Sequence, residues 1–554
     1  MMHWRRFFFL CFCLCCLVKV SAQEDDYSGR VFHQIYSFQV HNAFQHYKTI
    51  FEVEHNHELL RRMAQLIISQ DSLHSNIDKR RLAVLGAGIS ATDSLLPILE
   101  KSIKSPDLLT QKLALKHLAY YESEYIQSFL EKSLSANQLD IVFEAAQILT
   151  NYNNPFLIPR ILQIRDKLPP RLFSLFTPLL LKHDSSAAES AIRQMIHSHE
   201  KENKLNTLSH IAHQRKSLFL PEVKNLLENP DYAIKEASLH IIGNVQDHSM
   251  IDLITTYLSH HETSLRLAAA VALTQLGETE IPAQVITKEA LQNNLFAIDA
   301  LSLIDPEYAL PCLHEIMSKD SISANVRQNA LLSLLHHKDK SHLHELFPLL
   351  LLSSDKCSLQ TTFSPGKRFK FFSINMEGKK QKNPSTEQAH LLKIEILQKI
   401  LKASPSLFVS LTKELIEKNA IEVVPLALQM LHQEHISFDE SLAEKAILSS
   451  SGLIRTAGII YANQYNLAKY SPMLKTLLFK ESLSPIISFQ EKMNAFSFQE
   501  EMIENSKISL YLEGMQILLK ERNDDAYSFW VNVMSKCHPY NHGILSGLFL
   551  QQSN

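Results

Sequence analysis

The stretch Val84-Leu85-Gly86-Ala87-Gly88-Ile89-Ser90-Ala91 imitates a phosphate-binding turn. Glycines at that spacing let a pyrophosphate approach the backbone where a strand passes into a helix. Lys79 to Leu85, however, has the charged, amphipathic spacing of a helix. The sequence therefore predicts that the glycines end one helix and lead to the next, with Thr92 or Asp93 as cap. No cofactor is expected there.

Histidine is abundant, with 27 residues, and His336, His337, His342 and His344 crowd one short segment. Neutral imidazoles are good zinc or copper ligands. No cysteine or carboxylate pattern completes a set around them, and the second histidine that His344-Glu345 would need at helical spacing is missing; the same holds for His55-Asn56-His57-Glu58. Solvated loop histidines are the expectation, with no bound metal. Cys312, Cys357 and Cys537 could pair with a histidine as a nucleophile, but neither a Gly-x-Ser-x-Gly elbow nor a paired-glycine phosphate loop occurs. The chain reads as no enzyme. A metal- or thiol-dependent enzyme on a helical scaffold is the competing reading, and it requires these histidines, or a cysteine–histidine pair, to converge in a cleft.

The elements beneath these residues declare themselves by repetition. From Ala83, steps of 31 residues (once 30) reach Ala114, Ala145, Phe176, Thr207, Ser238, Ala269, Ala300 and Ala330. Four residues beyond each anchor lie Ala87, Leu118, Leu149, Leu180, Ile211, Ile242, Leu273, Ile304 and Leu334, all apolar. The residues one beyond are apolar too, Thr177 excepted. Positions 0, +1 and +4 share one helical face. A second series, Pro97, Ser128, Pro159, Ser190, Pro221 and Asp252, marks a partner helix, with an aliphatic residue two places after each. Ser105-Pro106-Asp107 and Asn229-Pro230-Asp231 place a capping side chain before a proline expected to open a helix. One helix pair of this length cannot bury both its faces, whereas stacked pairs share a continuous core. The expected fold is all-α, a right-handed α-solenoid of tandem antiparallel helix pairs with a helical C-terminal region.

Ile234-Lys235-Glu236-Ala237, Leu265-Arg266-Leu267-Ala268 and Val326-Arg327-Gln328-Asn329-Ala330 resemble the second helix of HEAT-like repeats. The short period is similar to the phycobilisome-lyase-type subset of that family. The resemblance spans about residues 60–350 and implies a fold, not an activity. Repeats anchored on Phe176 and Thr207 depart from its small-residue pattern.

The predicted organisation is a signal peptide over 1–22, an N-terminal helical cap over 23–78 and the repeat solenoid over 79–352. A basic and aromatic insertion loop over 353–385 and irregular helical repeats over 386–554 complete it. The signal reading rests on Arg5 and Arg6, the apolar run Phe7–Val18 and the small residues of Val20-Ser21-Ala22, with cleavage after Ala22. Bulky residues ahead of Cys11, Cys13, Cys15 and Cys16 disfavour a lipid-attachment signal. Three cysteines remain beyond that point, which is no disulfide framework. Absence of any Asn-x-Ser/Thr acceptor outside Asn383-Pro384-Ser385 leans towards a bacterial envelope, periplasmic or secreted.

A net charge of −3 gives no reason to expect nucleic acid. The partner expected is a protein or peptide, held on the concave solenoid face. The surface candidates lie two before and two after the anchors: Arg81, Lys112, Lys116 and Phe143, then the apolar Leu267, Val271, Ile298 and Leu332. A basic ladder three before the anchors, Arg80, Lys204, Lys235, Arg266 and Arg327, either faces acidic partners or pairs with acids and carbonyl ends; the second is the weightier reading. In the insertion, Lys367, Arg368 and Lys370 alternate with Phe369, Phe371 and Phe372. They are read as a dock for an acidic partner or an anionic membrane surface, or as phenylalanines folded back on the solenoid.

Overall fold

The computed structural model describes residues 27–51, 55–119, 124–136, 138–150, 157–168, 170–319, 322–339, 347–351, 384–487 and 498–553, with 121, 341, 342 and 345. Among them every regular element is a helix and no strand occurs.

The repeating stripe explains why. All nine anchors, Phe176, Thr207 and Ser238 included, have no exposed surface. The residues four places on are at most 5 % exposed, and those two places after the partner series at most 1 %. Each such aliphatic side chain contributes roughly 1.5–3 kcal/mol when taken out of water, so the stripe is what holds the helices in file. Where an anchor is polar, its hydroxyl finds a partner inside. Thr207 Oγ1 lies 3.4 Å from Thr177 Oγ1 in the preceding repeat, and Ser238 Oγ donates to the Ile234 carbonyl. Phe176 departs from the expected pattern by closing a 3-10 segment, Pro170–Phe176, in place of an α-helix.

Turn chemistry differs from the expectation in one respect. The prolines lie outside the helices, and Asp107 and Asp231 are the caps, accepting from the Thr110 and Ala233 amides at 2.9 Å. Ser105 Oγ and Asn229 Oδ1 instead accept from the amides of those aspartates.

Two compact units result. The first includes α1 (Val40–Ile50), α2 (His57–Asp71), α3 (Ile77–Ser90) and α4 (Leu108–Leu118). The second, Asn137–Leu442, includes α5 (Tyr232–Val245), α6 (Thr263–Gln275), α7 (Ala324–His336) and α8 (Pro384–Ala403). In it α5 packs on α6, and α8 packs on α7. The chain then returns to the first unit as α9 (Gly452–Tyr465), α10 (Leu467–Ser482), α11 (Phe498–Leu519), α12 (Asp524–Met534) and α13 (His542–Ser553). There α13 lies against α2 and α3, and α12 against α1. The Trp530 ring stacks on Phe549 with centroids 4.0 Å apart and meets the Phe44 edge at 5.2 Å.

The glycine-rich stretch is corrected by this packing. α3 runs unbroken through Gly86 and Gly88 and ends at Ala91, whose φ of 48° is left-handed. A Cβ on Gly86 would sit 2.1 Å from the Gly543 carbonyl oxygen, and one on Gly88 would sit 2.0 Å from His117 Cγ. These glycines let helices approach each other, not a phosphate.

Candidate functional site

The residues expected on a concave binding face are mostly committed to the fold. Arg81 holds Asp107 through two hydrogen bonds of 2.8 and 2.9 Å and reaches Asp78 at 3.0 Å. That guanidinium keeps the Asp107 carboxyl well below the usual carboxylate range, aided by the Thr110 hydroxyl and amide. The apolar candidates are not surface residues: Leu267, Val271, Ile298 and Leu332 are at most 4 % exposed. A helix in a stack buries more than one face, which spacing within that helix does not reveal. Lys116 is exposed and Lys112 partly so. Phe143 is half-buried, edge-on to Phe176 at 5.8 Å. Lys367, Arg368, Phe369, Lys370 and Phe371 lie outside the described residues.

The basic ladder has an inward use. Arg266 Nη1 donates to the His260 and His261 carbonyls at 2.8 and 2.9 Å, and Nη2 reaches Glu289 at 2.5 Å. Arg80 Nη1 makes the same grip on His74 and Ser75, and Arg455 Nη1 on Ser449 and Ser450. Each closes the turn between the two helices of a pair, satisfying carbonyls that a helix end leaves without an internal partner. Arg327 binds Glu345 at 2.7 Å, while Lys204 and Lys235 are partly exposed.

The histidine segment does not assemble a ligand set among the described residues. His337 Nε2 is 2.9 Å from the Leu301 carbonyl, His342 Nδ1 is 2.9 Å from Glu345, and His336 is exposed. His344 and Cys357 lie outside the described residues. Cys312 is buried beneath Thr287, and burial pushes its thiol up to about 11. Cys537 is buried as well, its thiol pushed up to about 12. Neither is an activated nucleophile, which would need a lowered value.

A shaped site does occur where α9, α10 and α11 pack together. Between them lies a cleft of about 890 Å³. Its apolar lining includes Leu453, Ile459, Leu477 and Ile508, and Met473, half exposed, stands on its α10 side. Among the described lining residues, Arg455, Lys480 and Lys507 are cationic and Glu481 is the one acid. Such a surface favours an apolar segment carrying negative charge. Sequence reasoning missed this site because its wall comes from three separate helices. The signal available was Leu453-Ile454-Arg455-Thr456-Ala457, an echo of the repeat outside the regular register.

No family model matches the chain, and no curated protein matches it. Among solved structures it is similar to Kap95p in complex with RanGDP. Identity there is 11 % over 95 % of this chain and 77 % of that one, with a TM-score of 0.36. Kap121p bound to Pho4p gives 12 % over 89 % and 72 %, with a TM-score of 0.32. Importin beta gives 13 % over 89 % and 63 %, with a TM-score of 0.29. Likenesses of this strength, each with a TM-score below 0.5, carry no argument about this chain. The class that the fold defines is an all-α helical repeat, as the buried register of anchors displays. Among the described residues, no helix is long and apolar enough to cross a membrane.

Proposed function

We propose that this chain is a non-enzymatic protein-binding scaffold, and that the cleft between α9, α10 and α11 receives an apolar, acid-flanked segment of its partner. The observation that carries this reading is the pairing, among the described lining residues, of apolar side chains with three cations and one acid in a single cleft. The conformational cost of holding a segment there is met by desolvating apolar side chains, and the charges set its orientation.

Site-specific photo-crosslinking from Thr476, followed by native capture from the source organism, tests it. A saturable protein partner should crosslink, and Met473→Asp with Lys480→Glu should abolish the capture. Equal capture by the double variant, or no saturable partner, would overturn the reading. If anionic vesicles bind in place of protein, and Lys367, Arg368 and Lys370 changed to Ser abolish that, the partner is a membrane surface and the cleft reading fails.

We further infer export to a periplasmic or secreted location, from the basic, apolar and small-residue succession of residues 1–22. The 31-residue period supports the phycobilisome-lyase-type subset of HEAT-like repeats. Protein recovered from source cells should begin at Gln23. An intact Met1 would contradict export by this route.

A further inference from the structure

We propose that His41, Cys537 and His542 form a binding site for a thiophilic d10 metal ion, copper(I) in preference to zinc(II). The three come from separate parts of the first unit: His41 from the first turn of α1, Cys537 from the turn after α12, and His542 from the first position of α13. One ligand atom from each lies within 4.8 Å of the others. Tetrahedral nitrogen and sulfur ligands around such an ion stand about 3.5 Å apart, so closure by about 1 Å, within reach of side-chain rotation, completes the set.

His542 points to a ligand independently. It is buried, 3 % exposed, and among the described residues neither Nδ1 nor Nε2 has a hydrogen-bond partner. An imidazole withdrawn from water with both nitrogens unmatched is costly, and coordination would relieve one of them. Its ring meets that of His41 edge-on at 5.0 Å.

His41 is already oriented. Its Nε2 lies 2.7 Å from the Cys537 carbonyl. A carbonyl only accepts, so Nε2 donates and the lone pair of the neutral ring falls on Nδ1. Ligating histidines ordinarily have their second nitrogen fixed by such a contact.

Charge selects among metals. Lys79 is the cationic side chain whose charge bears on His542. Lys79 reaches Asp71 at 4.0 Å, where both side chains are nearly enclosed. Copper(I) with one thiolate is neutral, whereas zinc(II) with one thiolate adds a positive charge beside Lys79 at low dielectric. A soft thiolate with two imidazoles in a closed site suits copper(I). The bound ion would fasten α1 to the turn between α12 and α13.

The test uses the full chain with Cys11, Cys13, Cys15 and Cys16 changed to Ser in every arm. Anaerobic titration with copper(I) against bicinchoninate should show one equivalent that Cys537→Ser loses. Zinc(II) in a parallel competition should bind at least tenfold more weakly. X-ray absorption of the copper form should show one sulfur and two nitrogens. Copper should raise the melting temperature of the parent chain but not of Cys537→Ser. Equal stoichiometry in a folded Cys537→Ser variant, a sulfur-only shell or tighter zinc binding would overturn the proposal. Should Cys537→Ser fail to fold, the absorption spectrum of the parent chain decides alone.

Discussion

Gly86 and Gly547 lie back to back where α3 crosses α13: a Cβ on Gly547 would come within 2.3 Å of the Gly86 carbonyl oxygen. Gly543 completes the contact, its carbonyl sitting over Gly86. The obstruction on either side is backbone, which cannot swing aside as a side chain can.

Gly547→Ala should therefore destabilise the first unit by about 2–3 kcal/mol, the upper range for overpacking a tight contact. Gly29→Ala is the matched control, since nothing lies within 4 Å of its added Cβ. Chemical denaturation compares them. Equal midpoints for the two variants would show that the helices part at little cost.

Arg266 closes its turn with donors that lysine cannot place simultaneously. Arg266→Lys should cost about 1–2 kcal/mol, the worth of one or two lost hydrogen bonds at a partly exposed site. Hydrogen exchange should quicken at the start of α6. Unchanged exchange there would mean that the carbonyls are equally well met by water.

Lys393 Nζ and Glu422 Oε2 are 2.6 Å apart with side chains only 3 % and 5 % exposed. Glu422→Gln leaves a buried ammonium without its counter-charge and should cost about 3–5 kcal/mol. Lys393→Met with Glu422→Leu should recover most of it. Failure of the double variant to recover would assign the pair a role beyond charge balance.

Asp299 supplies a pH signature. Burial pushes its carboxyl up to about 8, with Lys399 opposing and Glu395 reinforcing the rise. The folded chain then holds a proton that the unfolded chain has released above about pH 4. Folding stability must fall as pH climbs towards 8, by at most about 1.4 kcal/mol per pH unit from this group. Asp299→Asn should remove that slope, gaining on the parent chain between pH 5 and pH 8 in calorimetry. A constant difference across that range would show that Asp299 ionises normally.

Much of the repeat was legible, because a stripe such as Ala269, Ala270 and Leu273 obeys the geometry of its own helix. Partnership between helices was not. Leu267 and Val271 lie two residues either side of an anchor and are equally buried, since neighbouring helices enclose faces that local spacing leaves unassigned. Gly86 and Gly88 read as a helix end, and only the fold shows that the helix runs on through them to admit Gly543 and His117 at close range. His41 and Cys537 are 496 positions apart, far beyond any motif.

The pairing of α3 with α13 also orders events during synthesis. Asn76, capping α3, donates from its Nδ2 to the Tyr540 hydroxyl, 464 positions downstream. At roughly 5–20 residues per second, α3 emerges from the ribosome tens of seconds before the helix that covers it. Throughout that interval the face carrying Gly86 has no α13 to cover it. The emerging N-terminal segment is thus a natural client for a holding chaperone, and ribosomes stalled before residue 542 should display it in protease-sensitive form.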